Sequence, residues 1–160
     1  MNILISGGAG FIGSHLGEAF LAEGHRVIVI DNLITGDVKN LGPLEKFKDS
    51  FEFIEHDITE PLDGLALPDN LDLICNLACP ASPVDYAKYP LETLWVSAMG
   101  TKNMLDLAGK HKATFLHTST SEIYGDPLEH PQQESYLGNV SCTGPRSCYD
   151  EGKRFAESLV

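Results

Sequence analysis

The sequence lacks the features that mark membrane and secreted proteins. None of its 160 residues falls in an apolar run long enough, about eighteen residues, to span a bilayer. The first residues carry neither a basic leader nor a small-residue cleavage site, so we expect no signal peptide, no membrane partner and a cytoplasmic protein.

Basic residues are also few, with 11 Lys and Arg against 23 Asp and Glu and a formal net charge of -12. Nucleic-acid binding usually needs a basic surface, so we expect no nucleic-acid partner. The four cysteines, Cys75, Cys79, Cys142 and Cys148, form no CxxC pair. We therefore expect free thiols in a reducing compartment and no metal site.

What the sequence does contain is an alternation of short apolar runs with helix-length segments. Runs rich in Ile, Val, Leu and Phe predict strands at 2–6, 26–30, 51–55, 72–77 and 114–118. Amphipathic patterns predict helices at 11–23, 91–110 and 149–160. The alternation predicts one α/β domain over 1–160, with a doubly wound parallel sheet.

A glycine-rich loop, GGAGFIG, joins the first strand to the first helix. Gly7 permits a tight turn, Gly10 lets a phosphate approach the backbone, and Gly13 lets the helix pack close to the strand. The N–H groups of the new helix then face the phosphates. This context predicts a Rossmann-type dinucleotide site, to which Phe11 and Ile12 also belong.

Two carboxylates follow the next strands. Asp31 lies at the distance from the loop at which a carboxylate binds the adenosine ribose. Because a carboxylate there repels a 2′-phosphate, we predict NAD rather than NADP as the cofactor. Asp57 and Ile58, after the third strand, are candidates for the adenine contact.

Candidate catalytic groups lie near the end of the chain. Tyr149 and Lys153 are four residues apart, so on a helix they share one face. A nearby cation favours the phenolate, which Tyr149 needs to act as a base. Hydroxyls at 118–121 follow the fifth predicted strand, where ligands of such sheets bind, and Glu122 adds a carboxylate there.

These stretches resemble the extended short-chain dehydrogenase/reductases, which include nucleotide-sugar epimerases and dehydratases. Within them the chain is most similar to the UDP-glucuronate decarboxylase family. The similarity covers nearly the whole chain and is carried by GGAGFIGSHL, VIDNL, NLACPASP, STSEIYGDPLEHPQ, ESYLGNV and GPRSCYDEGKR.

The resemblance implies a lyase that converts UDP-glucuronate to UDP-xylose through a 4-keto intermediate, with NAD regenerated in each turnover. It implies that Tyr149 is the base, that Thr120 binds the C4 oxygen and that Lys153 orients the ribose. Glu122 would assist around the decarboxylation step. It also adds Asn32, Leu77 and Ala78 to the cofactor-binding residues.

Three alternatives remain open: a nucleotide-sugar 4-epimerase, a 4,6-dehydratase, and a dinucleotide-binding module without catalysis. Ser121 stands where the related dehydratases carry an Asp, which argues against dehydration. Two further departures from the family pattern, Ser97 and 141–143, bear on how the substrate is positioned.

The family is roughly twice as long as this chain, and the final helical pattern runs to Val160 without a cap. We therefore expect the cofactor-binding part of a longer enzyme, ending before the substrate-binding part. The resemblance further implies a homodimer, built through the helices at 91–110 and from Tyr149 onward.

Overall fold

The computed structural model describes all residues from Met1 to Val160. Five parallel strands form one sheet with the order β3-β2-β1-β4-β5. The strands are β1 (Asn2–Ser6), β2 (Arg26–Asp31), β3 (Phe51–Glu55), β4 (Leu73–Asn76) and β5 (Thr114–His117). The predicted doubly wound parallel sheet is confirmed, and each predicted strand agrees with the structure to within one residue at either end.

The helices pack on both faces of the sheet. They are α1 (Phe11–Ala22), α2 (Pro83–Lys88), α3 (Pro90–Trp95), α4 (Thr101–His111) and α5 (Ser147–Leu159). Two 3₁₀ segments lie at Val38–Phe47 and Ser121–Tyr124, and a π-helical segment, Val96–Gly100, joins α3 to α4. No helix is both long enough and apolar enough to cross a bilayer.

The central strands are buried on both faces. Ile3, Ile5, Val27 and Val29 point to the side covered by α1 and the Val38–Phe47 segment. Their neighbours in β1, β2 and β4 point to the other side, where Met104 of α4 covers them. Burying each such side chain stabilises the fold by about 1.5–3 kcal/mol, which explains why these strands are apolar without alternation.

The predicted helix at 91–110 is present but differs in two ways. It is interrupted by the π-helical segment, and its apolar residues do not form one buried stripe. Leu91, Trp95 and Met99 are 64%, 58% and 42% exposed, whereas Met104 and Ala108 are buried. The first half of this helix therefore exposes apolar residues whereas the second half buries them, because the extra residue in the π-turn rotates the buried face.

The strand order fixes where a ligand can bind. From β1 the chain crosses to β2 and β3 on one side, and later returns to β4 and β5 on the other. The loops after β1 and β4 therefore diverge and leave a crevice at the carboxyl end of the sheet.

Candidate functional site

The backbone of the glycine loop after β1 packs so closely that some of its residues have no room for a side chain. Gly7 has φ +72°, and a Cβ on it would lie 2.7 Å from the backbone of Ala78. A Cβ on Gly13 would lie 2.5 Å from the Gly7 carbonyl oxygen and 2.6 Å from the Gly8 Cα. No larger residue fits at Gly7 or Gly13, so their lack of a side chain is what permits this turn.

Asp31, at the end of β2, supports the loop. Its Oδ2 accepts a hydrogen bond from the Ala9 N–H at 2.9 Å, and its Oδ1 accepts one from the Leu33 N–H at 2.8 Å. Burial raises the pKa of the Asp31 carboxyl, and these two hydrogen bonds oppose the rise. Asp31 thus links the glycine loop to the turn after β2, whatever else it binds.

Asn32 and Asp57 meet beside this turn, where the Asn32 Nδ2 donates to the Asp57 Oδ2 at 2.8 Å. Burial raises the pKa of Asp57, but hydrogen bonds from the Thr59 N–H, the Thr59 hydroxyl and Asn32 outweigh it. The pKa of Asp57 therefore lies below its ordinary value, and the carboxylate is ionised at neutral pH.

One cavity of about 730 Å³ runs from this region to α5. It is lined by all the residues predicted to bind the cofactor: Gly7, Gly10, Phe11, Ile12, Gly13, Asp31, Asn32, Asp57, Ile58, Leu77, Ala78, Tyr149 and Lys153. It is also lined by residues that were not predicted, among them the turn 34–36 and Cys79. These follow strands β2 and β4, so the rule that ligands bind beyond strand ends could have found them.

Tyr149 and Lys153 lie on one face of α5 and are both nearly buried, 6% and 4% exposed. The Lys153 Nζ donates to the Thr118 carbonyl oxygen at 2.8 Å, which ties α5 to the end of β5. Burial lowers the pKa of Lys153. Burial likewise raises the pKa of Tyr149, and a hydrogen bond with the Thr120 hydroxyl opposes the rise.

Thr120 and Glu122 do not line the cavity, but Thr120 lies next to Tyr149 and Glu122 is close enough for its charge to raise the pKa of Tyr149. The Thr120 Oγ1 accepts a hydrogen bond from the Glu122 N–H at 3.2 Å and caps the Ser121–Tyr124 segment. The Glu122 carboxylate pairs with Arg146, with 3.0 Å between Oε2 and Nη1. The structure therefore brings Thr120 and Glu122 to Tyr149, with Lys153 one turn further along α5.

Two neighbours of Tyr149 were missed from the sequence. The Tyr86 ring stacks on the Tyr149 ring at 5.0 Å with an interplanar angle of 13°. No spacing signal connects Tyr86 to α5, because the two meet only through the fold. Arg146 lies in the stretch GPRSCYDEGKR, four residues before Asp150, and this spacing favours an ion pair at the start of α5.

The fold, the glycine loop and the Tyr149–Lys153 helix together define a dinucleotide-binding domain of the extended short-chain dehydrogenase/reductase type. The chain belongs to the family described as GDP-mannose 4,6 dehydratase, whose model matches residues 4–160. The resemblance inferred from the sequence is thereby confirmed.

Known relatives are longer than this chain. It is 54% identical over 160 residues to "UDP-glucuronic acid decarboxylase 1" of Arabidopsis thaliana, covering 100% of this chain and 35% of the relative. Among solved structures, it is similar to a UDP-glucose 4-epimerase from Thermotoga maritima with UDP-glucose, at 29% identity and a TM-score of 0.80. That match covers 99% of this chain and 50% of the epimerase.

A second solved structure is an NAD-dependent NDP-hexosamine 5,6-dehydratase involved in tunicamycin biosynthesis. It is 31% identical to this chain with a TM-score of 0.78, and the match covers 99% of this chain and 48% of the dehydratase. The chain thus spans about a third to a half of the length of these proteins.

Proposed function

We propose that the full-length protein is a lyase that decarboxylates UDP-glucuronate to UDP-xylose with NAD as its cofactor. The observation that carries this proposal is the placement of Tyr149 at one end of the cavity that begins at the glycine loop, with Thr120 and Glu122 outside the cavity wall but close to Tyr149. The 54% identity to a UDP-glucuronic acid decarboxylase over the whole chain supports the choice of substrate.

The residues present fit NAD. The cavity reaches from the glycine loop to Tyr149 and Lys153, so it suits a long ligand whose two ends are recognised differently. The loop closes so tightly at Gly7 and Gly13 that the phosphates can approach its backbone N–H groups. Asp31 lines the cavity and presents negative charge, which favours ribose hydroxyls over a 2′-phosphate.

NAD supplies a hydride acceptor for C4 of the sugar and later a hydride donor, so that the sugar passes through a 4-keto acid that loses CO2. Tyr149, as the phenolate, takes the proton of the C4 hydroxyl in the first step, and the resulting phenol returns it in the last. Thr120, whose hydroxyl lies close to the Tyr149 phenol, holds the C4 oxygen next to that phenol.

Burial raises the pKa of Tyr149, so the phenol is protonated at neutral pH in the chain alone. A base role therefore needs added positive charge close to the ring, which the oxidised cofactor supplies when bound. Lys153 reaches the end of β5 through Thr118, and we assign it the ribose hydroxyls and the support of the phenolate. We assign Glu122 an assisting role around the decarboxylation step.

The test is product analysis of the full-length protein with UDP-glucuronate and NAD. We expect CO2 and UDP-xylose in equal amounts, with no net consumption of NAD. Interconversion of UDP-glucuronate and its C4 epimer without CO2 would favour the 4-epimerase alternative. Loss of water from a 6-hydroxyl substrate would favour the dehydratase. NAD binding without turnover of any nucleotide sugar would favour a binding module.

We further propose that the full-length protein is a homodimer. Apolar side chains on α3 and α5 are exposed side by side, with Leu91, Trp95 and Phe155 at 64%, 58% and 51% exposed. They line an open groove together with Leu94 and Ala98. A second copy would bury this apolar surface. Light scattering at micromolar concentration tests the proposal, and a monomer would contradict it.

A further inference from the structure

Arg146 joins three carboxylates beside Tyr149, and no role has yet been given to it. Its Nη1 lies 3.0 Å from the Glu122 Oε2, its Nη2 lies 3.1 Å from the Asp126 Oδ1, and its Nε lies 3.6 Å from the Asp150 Oδ2. These four residues are called the Arg146 cluster. Each of the three guanidinium nitrogens faces a different carboxylate, so rotation of the planar group is restricted.

Asp150 anchors the Arg146 cluster from within the fold. Its side chain is 5% exposed, and its Oδ1 is buried without a hydrogen-bond partner. An ionised carboxylate is costly to bury without a cation, so the buried charge of Asp150 depends on Arg146. The same ion pair holds the Arg146 side chain in place. Asp126 is 89% exposed, so it adds little to this anchoring.

The backbone of Arg146 caps the start of α5, the helix that carries Tyr149. Its carbonyl oxygen accepts hydrogen bonds from the Tyr149 N–H at 2.9 Å and from the Asp150 N–H at 3.0 Å. Its side chain reaches across to Glu122 in the Ser121–Tyr124 segment. One residue therefore connects the segment of Glu122 to the helix of Tyr149.

We infer that Arg146 is a positioning residue that holds the Glu122 carboxylate at a fixed place relative to Tyr149. This inference rests on the proposed function, in which both groups serve the same sugar ring. Only Oε2 of Glu122 is paired with Arg146, and the protein makes no hydrogen bond or ion pair to Oε1. One oxygen is thus held while the other stays free for the reacting group.

The same geometry argues against Arg146 as the receptor for the carboxylate of the sugar. One guanidinium is surrounded by three carboxylates, so the cluster carries net negative charge when all of them are ionised. An incoming anion would have to displace one of these partners. Arg146 should therefore affect the rate of the chemical step rather than substrate affinity.

The first experiment is a double-mutant cycle in the full-length protein, with UDP-glucuronate as substrate. Arg146→Lys should lower kcat about tenfold, because lysine is a point charge that cannot meet three carboxylates at once, and should change KM less than about twofold. In a Glu122→Gln background, Arg146→Lys should lower kcat less than about twofold, because the carboxylate that Arg146 positions is already absent. Arg26→Lys is the matched control, since Arg26 forms an exposed pair with Glu52 far from Tyr149.

Three outcomes would overturn the inference. A KM raised more than about tenfold with kcat unchanged would make Arg146 a substrate-binding residue. Equal losses from Arg146→Lys in both backgrounds, or a loss explained by the unfolded fraction alone, would reduce Arg146 to a structural role.

The second experiment does not need activity or a stable Arg146 variant. NMR of the guanidinium groups should show separate Nη1 and Nη2 signals for Arg146 in the wild-type protein, because its rotation is restricted. Glu122→Gln should broaden or merge them. Averaged signals in the wild type would overturn the inference. Separate signals in a protein that does not turn over UDP-glucuronate would uphold the positioning and overturn the proposed function instead.

Discussion

The two ends of the cavity are built by different means. At the end formed by the loops after β1 and β2, the shape of the cavity depends on the backbone. The glycines there leave no room for a Cβ, and Asp31 accepts hydrogen bonds from two backbone N–H groups. At the end formed by β5 and α5, it depends on side chains that meet across separate elements, as Tyr86 meets Tyr149 and Arg146 meets Glu122.

This difference has a physical consequence for how each end tolerates change. The glycine loop rests on strands with no exposed residues in their centre, so a misfit there strains the core of the sheet. The Tyr149 end lies beside the edge strand β5, where Leu116 is 45% exposed. Substitutions at the Tyr149 end that keep its buried rings in place should therefore alter chemistry at little cost in stability, and substitutions in the loop should lower stability.

The largest effect should come from removing the phenol at the Tyr149 end. Tyr149→Phe keeps the ring that stacks on Tyr86 and loses only the hydroxyl. In the full-length protein we expect kcat to fall about a thousandfold, the scale of a lost general base, with NAD affinity changed less than about threefold. Steady-state kinetics and calorimetric titration measure the two quantities. An unchanged rate would contradict the base role.

The converse test inserts a methyl group into the glycine loop. Gly13→Ala places a Cβ 2.5 Å from the Gly7 oxygen, so the loop or α1 must shift. We expect unfolding free energy to fall by about 1–3 kcal/mol and NAD affinity to fall about tenfold or more. Denaturant titration and calorimetry check this.

Gly109→Ala is the matched control for that change. Gly109 lies in α4 and has no atom within 4 Å of an added Cβ. Because alanine is the better helix former, this variant should be more stable by about 0.5–1 kcal/mol and should bind NAD normally. Equal losses in both glycine variants would show that the loop is not specially constrained.

A smaller effect is expected at Asp31. We predict that the wild-type protein binds NAD at least about tenfold more tightly than NADP, because the carboxylate repels a 2′-phosphate. Asp31→Asn removes that charge but keeps one oxygen acceptor for a backbone N–H. This variant should reduce the preference for NAD over NADP, chiefly by weakening the binding of NAD. Calorimetric titration with both cofactors measures the two affinities. Tighter binding of NADP by the wild type would refute the cofactor assignment.

The same difference between the glycine-loop end and the Tyr149 end explains which features could be predicted from the sequence. The strands, Gly13 and Asp31 were predictable, because local apolar runs and a short glycine spacing carry their own signals. The Tyr86–Tyr149 stack was not, since each residue alone resembles an ordinary helical tyrosine. The π-turn at Val96–Gly100 was also missed, because its sequence has the same apolar period as an uninterrupted α-helix.

The smallest predicted effect concerns His117, at the end of β5. The Asn76 Nδ2 lies 3.3 Å from the His117 Nδ1, and the His117 Nε2 is buried without a partner. Burial and the charge of Lys153 lower the pKa of His117 from 6.5 to about 4, although Glu157 opposes the shift. The fold therefore favours the neutral ring, and this contribution to stability is full above pH 6.5 and is lost as the pH falls towards 4.

His117→Asn removes the titrating ring and keeps an acceptor near the place of Nδ1. Between pH 7 and pH 5, the wild-type protein should lose about 1 kcal/mol more unfolding free energy than this variant, a value reduced for the partial exposure of the ring. Denaturant titrations at the two pH values measure the difference. His130→Asn, at an exposed histidine, should follow the wild type. Parallel curves for wild type and His117→Asn would mean that the ring is solvated enough to titrate normally, and that the end of β5 is less closely packed than the structure shows.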